Sequence, residues 1–318
     1  LNEFWDGMMN LETILVTGAH GLLGTSIVSQ LNEIGCKVLS PKSSELNLLD
    51  EKSVVSYVTL HKPTYVIHLA SMVYGLQGNL KNQLSSLSTN NRINDNLFTA
   101  LVSVGCVKKV FFAGTVASYP YPYVSLPLRE DQLLSGLPHV GEFGYACSKI
   151  TAYYYLNLLK KYHSIDFVYG VFTNMFGPND KFDIENGHVV PSLISKAYSA
   201  KLSNSPLTVW GNPNTTRDFM FVEDAAMAAI FLCKCASGIF NIASGEEVTM
   251  GELAETIAKV SSLTSGIEWQ ENMPVGIPAR SVDIEKLKIA GFVPKTGFKE
   301  GIRMTFDWYS KNINSIRS

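Results

Sequence analysis

Three observations place the chain in the α/β class, as a doubly wound parallel sheet with a smaller mixed α/β domain. Short β-branched runs alternate with helix-length segments through the first half. These runs are continuously apolar, as strands covered on both faces must be. A glycine-rich turn follows the first run directly and opens the first helical stretch.

The elements follow in order. Thr13-Ile14-Leu15-Val16 is the first strand candidate, leading through the glycine turn into a helix to about Glu33. Lys37-Val38-Leu39-Ser40, Tyr65-Val66-Ile67-His68-Leu69 and Lys109-Val110-Phe111-Phe112-Ala113 are the next three. Ser118 to Phe143 is rich in Pro, Tyr and Leu and too long for a simple connector, so a functional loop over the site is expected. A helix over about Gly144–His163 and a strand from Asp166 follow. Residues 11–178 then form the first domain, to which about 215–243 returns, and 179–318 form a smaller, interleaved one.

Composition narrows the function. The 318 residues carry 26 Lys plus Arg against 28 Asp plus Glu, a balance that argues against a nucleic-acid partner. At 46% hydrophobic and 17% charged the chain buries a sizeable core. No apolar run reaches the roughly 18–20 residues of a membrane helix. The acidic Leu1–Asp6 stretch lacks a basic-then-apolar secretory pattern, and five irregularly spaced cysteines make no disulfide framework. A cytoplasmic protein with reduced thiols is expected. The six His are scattered and no Cys pair has metal spacing, so no metal site is expected.

The glycine turn reads Thr17-Gly18-Ala19-His20-Gly21-Leu22-Leu23-Gly24. Gly18 permits a tight turn, Gly21 lets the backbone approach a pyrophosphate, and Gly24 lets helix and strand pack closely. The helix N-terminus offers free N–H groups to the anion. The pattern predicts a Rossmann-type dinucleotide site, with His20 and Leu22 beside the three glycines, and Leu69 and Ala70 at the end of the third strand. An acidic residue about 20 positions on would hold an adenosine ribose 2′-hydroxyl. Here the strand ends Ser40-Pro41-Lys42-Ser43-Ser44, with no carboxylate until Glu45. Ser40 and Lys42 suit a 2′-phosphate, so NADP(H) is the expected cofactor.

Tyr145-Ala146-Cys147-Ser148-Lys149 puts a phenol and an ammonium on one helix face. The ammonium is expected to draw the Tyr145 pKa down and make it a usable proton donor. Thr115, just past the fourth strand, lies where its hydroxyl reaches the same oxygen, because parallel-sheet sites lie beyond the strand ends.

With Gly18, Gly21, Gly24, Thr115, Tyr145 and Lys149 the chain resembles the extended short-chain dehydrogenase/reductases, the NAD-dependent epimerase/dehydratase family. Within them it resembles the GDP-L-fucose synthases, which are epimerase–reductases of GDP-4-keto-6-deoxymannose. The stretches Ser44–Asp50, Pro63–Ala70, Thr173–Asp180 and Asn186–Pro191 carry this closer likeness, with Val209-Trp210-Gly211 and Arg217-Asp218-Phe219. The resemblance implies that Tyr145 protonates a C4 carbonyl oxygen, that Thr115 binds it, and that Lys149 holds the nicotinamide ribose. It makes His188 an acid/base group near the sugar. Asn174, Val189, Lys196 and Trp210 would contact the GDP-linked sugar, Arg217 its diphosphate, and Arg280 stands where the family usually has a Lys. It also implies a homodimer through helices near Leu84–Val104 and Gly144–His163.

One departure stands out. The family carries a Cys two positions after the catalytic hydroxyl that moves protons at C3 and C5, and here Ala117 takes its place. A methyl group transfers no proton, so the expected activity is C4 reduction of a GDP-linked 4-keto-6-deoxy hexose or heptose. The alternatives are the full epimerase–reductase, a redox-neutral 4-epimerase or dehydratase with bound NAD, and a nucleotide-sensing protein without catalysis. The Tyr145–Lys149 pair speaks against the last.

Overall fold

The computed structural model describes residues 12–74, 76–184, 187–270 and 277–316. Leu1–Asp6, Leu11 at the expected start of the first domain, and Asn186 lie outside the described residues.

β1 (Thr13–Thr17) enters α1 (Leu22–Glu33), and β2 (Lys37–Leu39) enters α2 (Glu51–His61). Asp50 starts α2 by accepting the Lys52 N–H at 3.0 Å, the usual way to satisfy a free helix donor. After β3 (Tyr65–His68) come α3 (Leu76–Lys81) and the long α4 (Gln83–Val104), then β4 (Lys109–Thr115), α5 (Phe143–His163) and β5 (Asp166–Phe172). β6 (Asn174–Phe176), α6 (Val189–Ser203), β7 (Leu207–Trp210), β8 (Thr216–Arg217) and β9 (Phe219–Phe221) lead to α7 (Val222–Cys235) and β10 (Gly238–Ile242). β11 (Val248–Thr249), α8 (Met250–Val260), β12 (Ile267–Gln270), β13 (Ala279–Arg280), α9 (Glu285–Ile289) and α10 (Phe298–Asn312) complete the described strands and α-helices.

Six of these strands form one sheet in the order β2-β1-β3-β4-β5-β10, every pair parallel. The order reverses between β1 and β3, and a crevice opens at such a reversal beyond the strand ends. The Rossmann-type expectation holds. β4 is two residues longer than the sequence suggests, and those residues carry it to Thr115, opposite Phe172.

Two hydrophobic cores follow from this path. The first surrounds the large sheet and includes Leu15, Ile67, Phe111, Val168 and Ile230. The second gathers Phe176, Ile194, Phe219, Leu253 and Ile302, and holds the smaller sheets β11-β8-β13, β7-β12 and β6-β9 in place. Met220, Val222 and the buried apolar side chains from Ala225 to Ala243 belong to the first core, and so do Val282, Ile284, Leu287 and Phe292. The chain thus comes back to the first core twice, where the sequence suggests a single return. Short apolar segments flanked by polar turns hide the second crossing.

The Ser118–Phe143 loop is tied down along its length. The Tyr119 hydroxyl donates to Asn241 Oδ1 at 2.6 Å, and Asn241 Nδ2 donates to the carbonyls of Leu128 (3.0 Å) and Asp283 (2.9 Å). The Leu128 N–H reaches the Ser281 carbonyl at 2.9 Å. Tyr119 is 1% exposed, so Tyr119→Phe strands a buried acceptor and is expected to cost about 1–3 kcal/mol. Chemical denaturation of the two proteins measures it; an unchanged midpoint would mean the loop is not held through Asn241.

Candidate active site

A cleft of about 1650 Å³ lies beyond the C-terminal ends of β1, β3, β4 and β5, with the second core as its far wall. Single-ligand pockets run to about 1,000 Å³, so this cleft has room for two ligands side by side.

The glycine turn forms its floor at one end. Gly18 has φ +70°, and a Cβ there would stand 2.8 Å from the Ala70 nitrogen; a Cβ on Gly24 would run into the Gly18 carbonyl. The turn therefore packs against β3 and α1 as only glycine allows. Gly21 caps α1 with no side-chain bond, which leaves first-turn N–H groups for an anion. His20, Leu22, Leu69 and Ala70 line the same end. A cradle without Cβ atoms and a helix N-terminus fit a dinucleotide pyrophosphate.

Beyond β2, Pro41, Lys42, Ser43 and Ser44 line the cleft, but Ser40 does not. The His20 ring lies 3.2 Å from the Ser40 carbonyl, and the chain then turns, the Lys42 carbonyl accepting from Glu45 and Leu46. That turn carries residues 42–44, not Ser40, to the cleft. Glu45 Oε2 accepts the Lys42 N–H at 2.7 Å and is outside the lining, whereas the Lys42 ammonium makes no ion pair among the described residues.

At the end of β3 stands His68, 1% exposed. Its Nδ1 lies 2.6 Å from the Thr17 hydroxyl and its Nε2 3.0 Å from Asn94 Oδ1. Nε2 therefore donates, Nδ1 accepts, and the ring is neutral. Burial and the nearby Lys149 charge push its pKa down to about 3. The Lys149 ammonium lies 4.8 Å above the Phe112 ring and 5.5 Å from the centre of the Tyr145 ring. Burial draws Lys149 down to about 7.

Thr115, Tyr145 and Lys149 all line the cleft, and the Thr115 hydroxyl is near enough to the Tyr145 phenol to favour its ionisation. The expected fall in the Tyr145 pKa is absent. Burial, then the Glu142 carboxylate, hold it above the ordinary phenol value and outweigh the lowering effect of the Thr115 hydroxyl. Tyr145 is thus fully protonated at neutral pH, the state a proton donor needs.

On the far wall stand Asn174, His188, Val189, Lys196, Trp210, Arg217 and Arg280. His188 begins α6 without making a capping bond, and its ring is open to the cleft although the walls around it lower its pKa. The Asn174 amide donates to the Asp218 carbonyl at 3.0 Å, leaving its own oxygen free to accept. The Lys196 ammonium sits 4.0 Å over the Trp210 ring. Arg217 and Arg280 are register partners on β8 and β13. Arg217 spends one N–H on the Thr216 carbonyl at 2.7 Å and forms no ion pair among the described residues. Burial and Arg280 draw it down to about 10. Arg280 is already committed, to Glu142 at 2.7 Å and the Tyr123 hydroxyl at 2.7 Å, so a direct hold on nucleotide falls first to Arg217.

Four lining residues or neighbours escape a reading of motifs. Glu142 and His139 come from the tyrosine-rich loop, and Asp180 closes the Thr173–Asp180 stretch with a carboxyl that burial pushes up to about 7. His68 lies just behind the lining. Only Glu142 carries a sequence signal, its position three residues before Tyr145. Ala117 is 4% exposed and absent from the lining.

The family model described as "NAD dependent epimerase/dehydratase family" matches residues 14–243. GDP-L-fucose synthase 1 of Arabidopsis thaliana is 35% identical over 94% of both chains. Probable GDP-L-fucose synthase 1 of Oryza sativa subsp. japonica is 33% identical over 96% of this chain and 94% of its own. A GDP-L-fucose synthetase from Naegleria fowleri, solved bound to NADP, superposes with TM-score 0.88 and 26% identity, covering 98% and 96% of the two chains.

The His68 network has a pH signature. The folded protein holds the ring neutral down to about pH 3, while the unfolded chain takes up a proton near pH 6.5. Stability from this group is therefore present above 6.5 and falls as pH drops towards 3, by roughly 2 kcal/mol between pH 7.5 and 5. Urea unfolding at the two pH values should show His68→Gln losing about that much less than wild type. Parallel losses would place the acid sensitivity elsewhere.

Proposed function

The chain belongs to the NAD-dependent epimerase/dehydratase family, and from that we propose that it is an NADPH-dependent C4 reductase of a GDP-linked 4-keto-6-deoxy sugar, hexose or heptose. The observation that carries the reading is one cleft lined by a glycine cradle, a protonated Tyr145 with Thr115 beside it, and an Arg217 that forms no ion pair among the described residues. NADPH, when bound, supplies a hydride to the ketone carbon.

The chain supplies the rest. Gly18, Gly21 and Gly24 with the α1 N-terminus would hold the cofactor's pyrophosphate, and Leu69 and Ala70 would border it. Lys42 would meet a 2′-phosphate as a point charge, and the neighbouring Ser43 and Ser44, which also line the cleft, would offer hydroxyls. Thr115 and Tyr145 bind the C4 oxygen, and Tyr145 gives it the phenolic proton as negative charge develops there. The phenolate left behind is stabilised by Lys149, whose pKa near 7 keeps a large share of its charge at neutral pH. Arg217 would meet the diphosphate of GDP, which supplies a counter-charge to a half-buried guanidinium that forms no ion pair among the described residues. Asn174, Val189, Lys196 and Trp210 border the nucleotide sugar.

The absence of a thiol at residue 117 supports reduction without epimerisation, since Ala117 has no titratable group and lies below the cleft surface. The full epimerase–reductase remains the second reading because His188 faces the cleft as an acid/base group. We also propose a two-lobed chain, a cofactor-binding part at about 11–178 with the return near 215–243 and a sugar-binding part beyond. Exposed Leu84, Tyr154, Leu158 and Tyr162 on α4 and α5 support a homodimer through these helices.

Steady-state NADPH oxidation tests the reading. GDP-4-keto-6-deoxymannose should be reduced stoichiometrically, and Tyr145→Phe should lower kcat by about 10²- to 10⁴-fold while NADPH still quenches the protein fluorescence. Full turnover in Tyr145→Phe would remove the proton donor from the scheme.

A further inference from the structure

The scheme above gives Glu142, an acidic side chain near Tyr145, no task. Glu142 lies three residues before Tyr145, which sets both on one face at the start of α5. Both line the cleft, and the Glu142 charge is felt at the Tyr145 phenol.

The carboxylate is held in a fixed plane. Arg280 Nη2 donates to Oε2 at 2.7 Å and Nη1 to Oε1 at 3.5 Å, and Arg280 Nε is itself held by the Tyr123 hydroxyl at 2.7 Å. This pairing spans the molecule, from the tyrosine-rich loop to β13 on the far wall. It keeps Glu142 ionised and therefore an acceptor only, and each oxygen retains a free lone pair. The Glu142 side chain is 21% exposed against 10% for Arg280, so the open side of the pair is the carboxylate.

We propose that Glu142 accepts the hydroxyl on the carbon adjacent to the C4 carbonyl, and so selects sugars that retain a free 3-hydroxyl. The inference rests on the keto-sugar reading of the cleft. A 4-keto pyranose has two carbons beside its carbonyl. C5 bears the ring oxygen and C6 and offers no donor, while C3 bears a hydroxyl. An acceptor placed beside the phenol that holds the C4 oxygen meets that hydroxyl alone. A sugar without it leaves a desolvated carboxylate with one donor too few, and such a site rejects the analogue strongly. Arg280 is then a positioning residue that fixes the plane of the Glu142 carboxylate.

The test is kcat/KM for NADPH oxidation with GDP-4-keto-6-deoxymannose and with its 3-deoxy congener, in wild type, Glu142→Gln and Glu142→Asp. Wild type should prefer the 3-hydroxy sugar by about 10- to 100-fold, the worth of a hydrogen bond to a charged acceptor. Glu142→Gln should cut that preference at least tenfold, and Glu142→Asp, which keeps the charge but draws it back by one methylene, at least threefold. If Glu142→Gln is poorly folded, the aspartate variant decides alone. Equal losses on both sugars, or a wild type without preference, overturn the proposal and leave the reductase reading standing. Wild type that binds NADPH but oxidises it with neither sugar overturns both.

Discussion

Three parallel strand ends in one register set the geometry of everything else. Thr17 of β1 lies opposite His68 of β3, and His68 lies opposite Phe112 of β4. From these ends emerge the glycine turn, the Leu69-Ala70 segment that packs against it, and Thr115. The neutral His68 imidazole bridges Thr17 and Asn94, tying β1 to α4 through the interior. Lys149 rests on Phe112, the residue paired with His68. The anion end of the cleft and its proton-donating end are therefore fixed by the same few residues, and displacing one strand displaces both.

Charge inside the cleft is set against this frame. Lys149 and Arg217 are each drawn below their usual range, mainly by burial, because few counter-charges accompany them. An anionic ligand at Arg217 and a developing phenolate near Lys149 both reverse that cost, so charge recognition and proton transfer use the same physical lever. Arg280 is the exception. Burial opposes its charge, but Glu142 more than compensates, and the pair acts as a fixed part of the wall.

The first half of this architecture was legible in the sequence because buried parallel strands read as continuous apolar runs, and because Gly18, Gly24 and the Tyr145–Lys149 pair answer to strict local geometry. The far wall was not. β8 and β13 are two residues each, and the pairing of Arg217 with Arg280 joins positions that no local pattern connects. Glu142 and Arg280 meet across 138 residues of chain. The partners of Arg280, Glu142 and Tyr123, are visible only in the fold. Ser40 stays outside the lining for a smaller reason, a turn after β2 that presents Lys42 instead. The Tyr145 pKa moved opposite to expectation because local spacing reveals the lysine but not the depth of burial.

The central claim is that this site reduces C4 and leaves C3 and C5 untouched. Incubation with GDP-4-keto-6-deoxymannose and NADPH in deuterated water, followed by proton NMR of the product, addresses it directly. The account predicts reduction at C4 with protons retained at C3 and C5. Deuterium at both carbons would contradict it and assign proton transfer at those positions to a pair of groups that includes His188 but needs no thiol at residue 117.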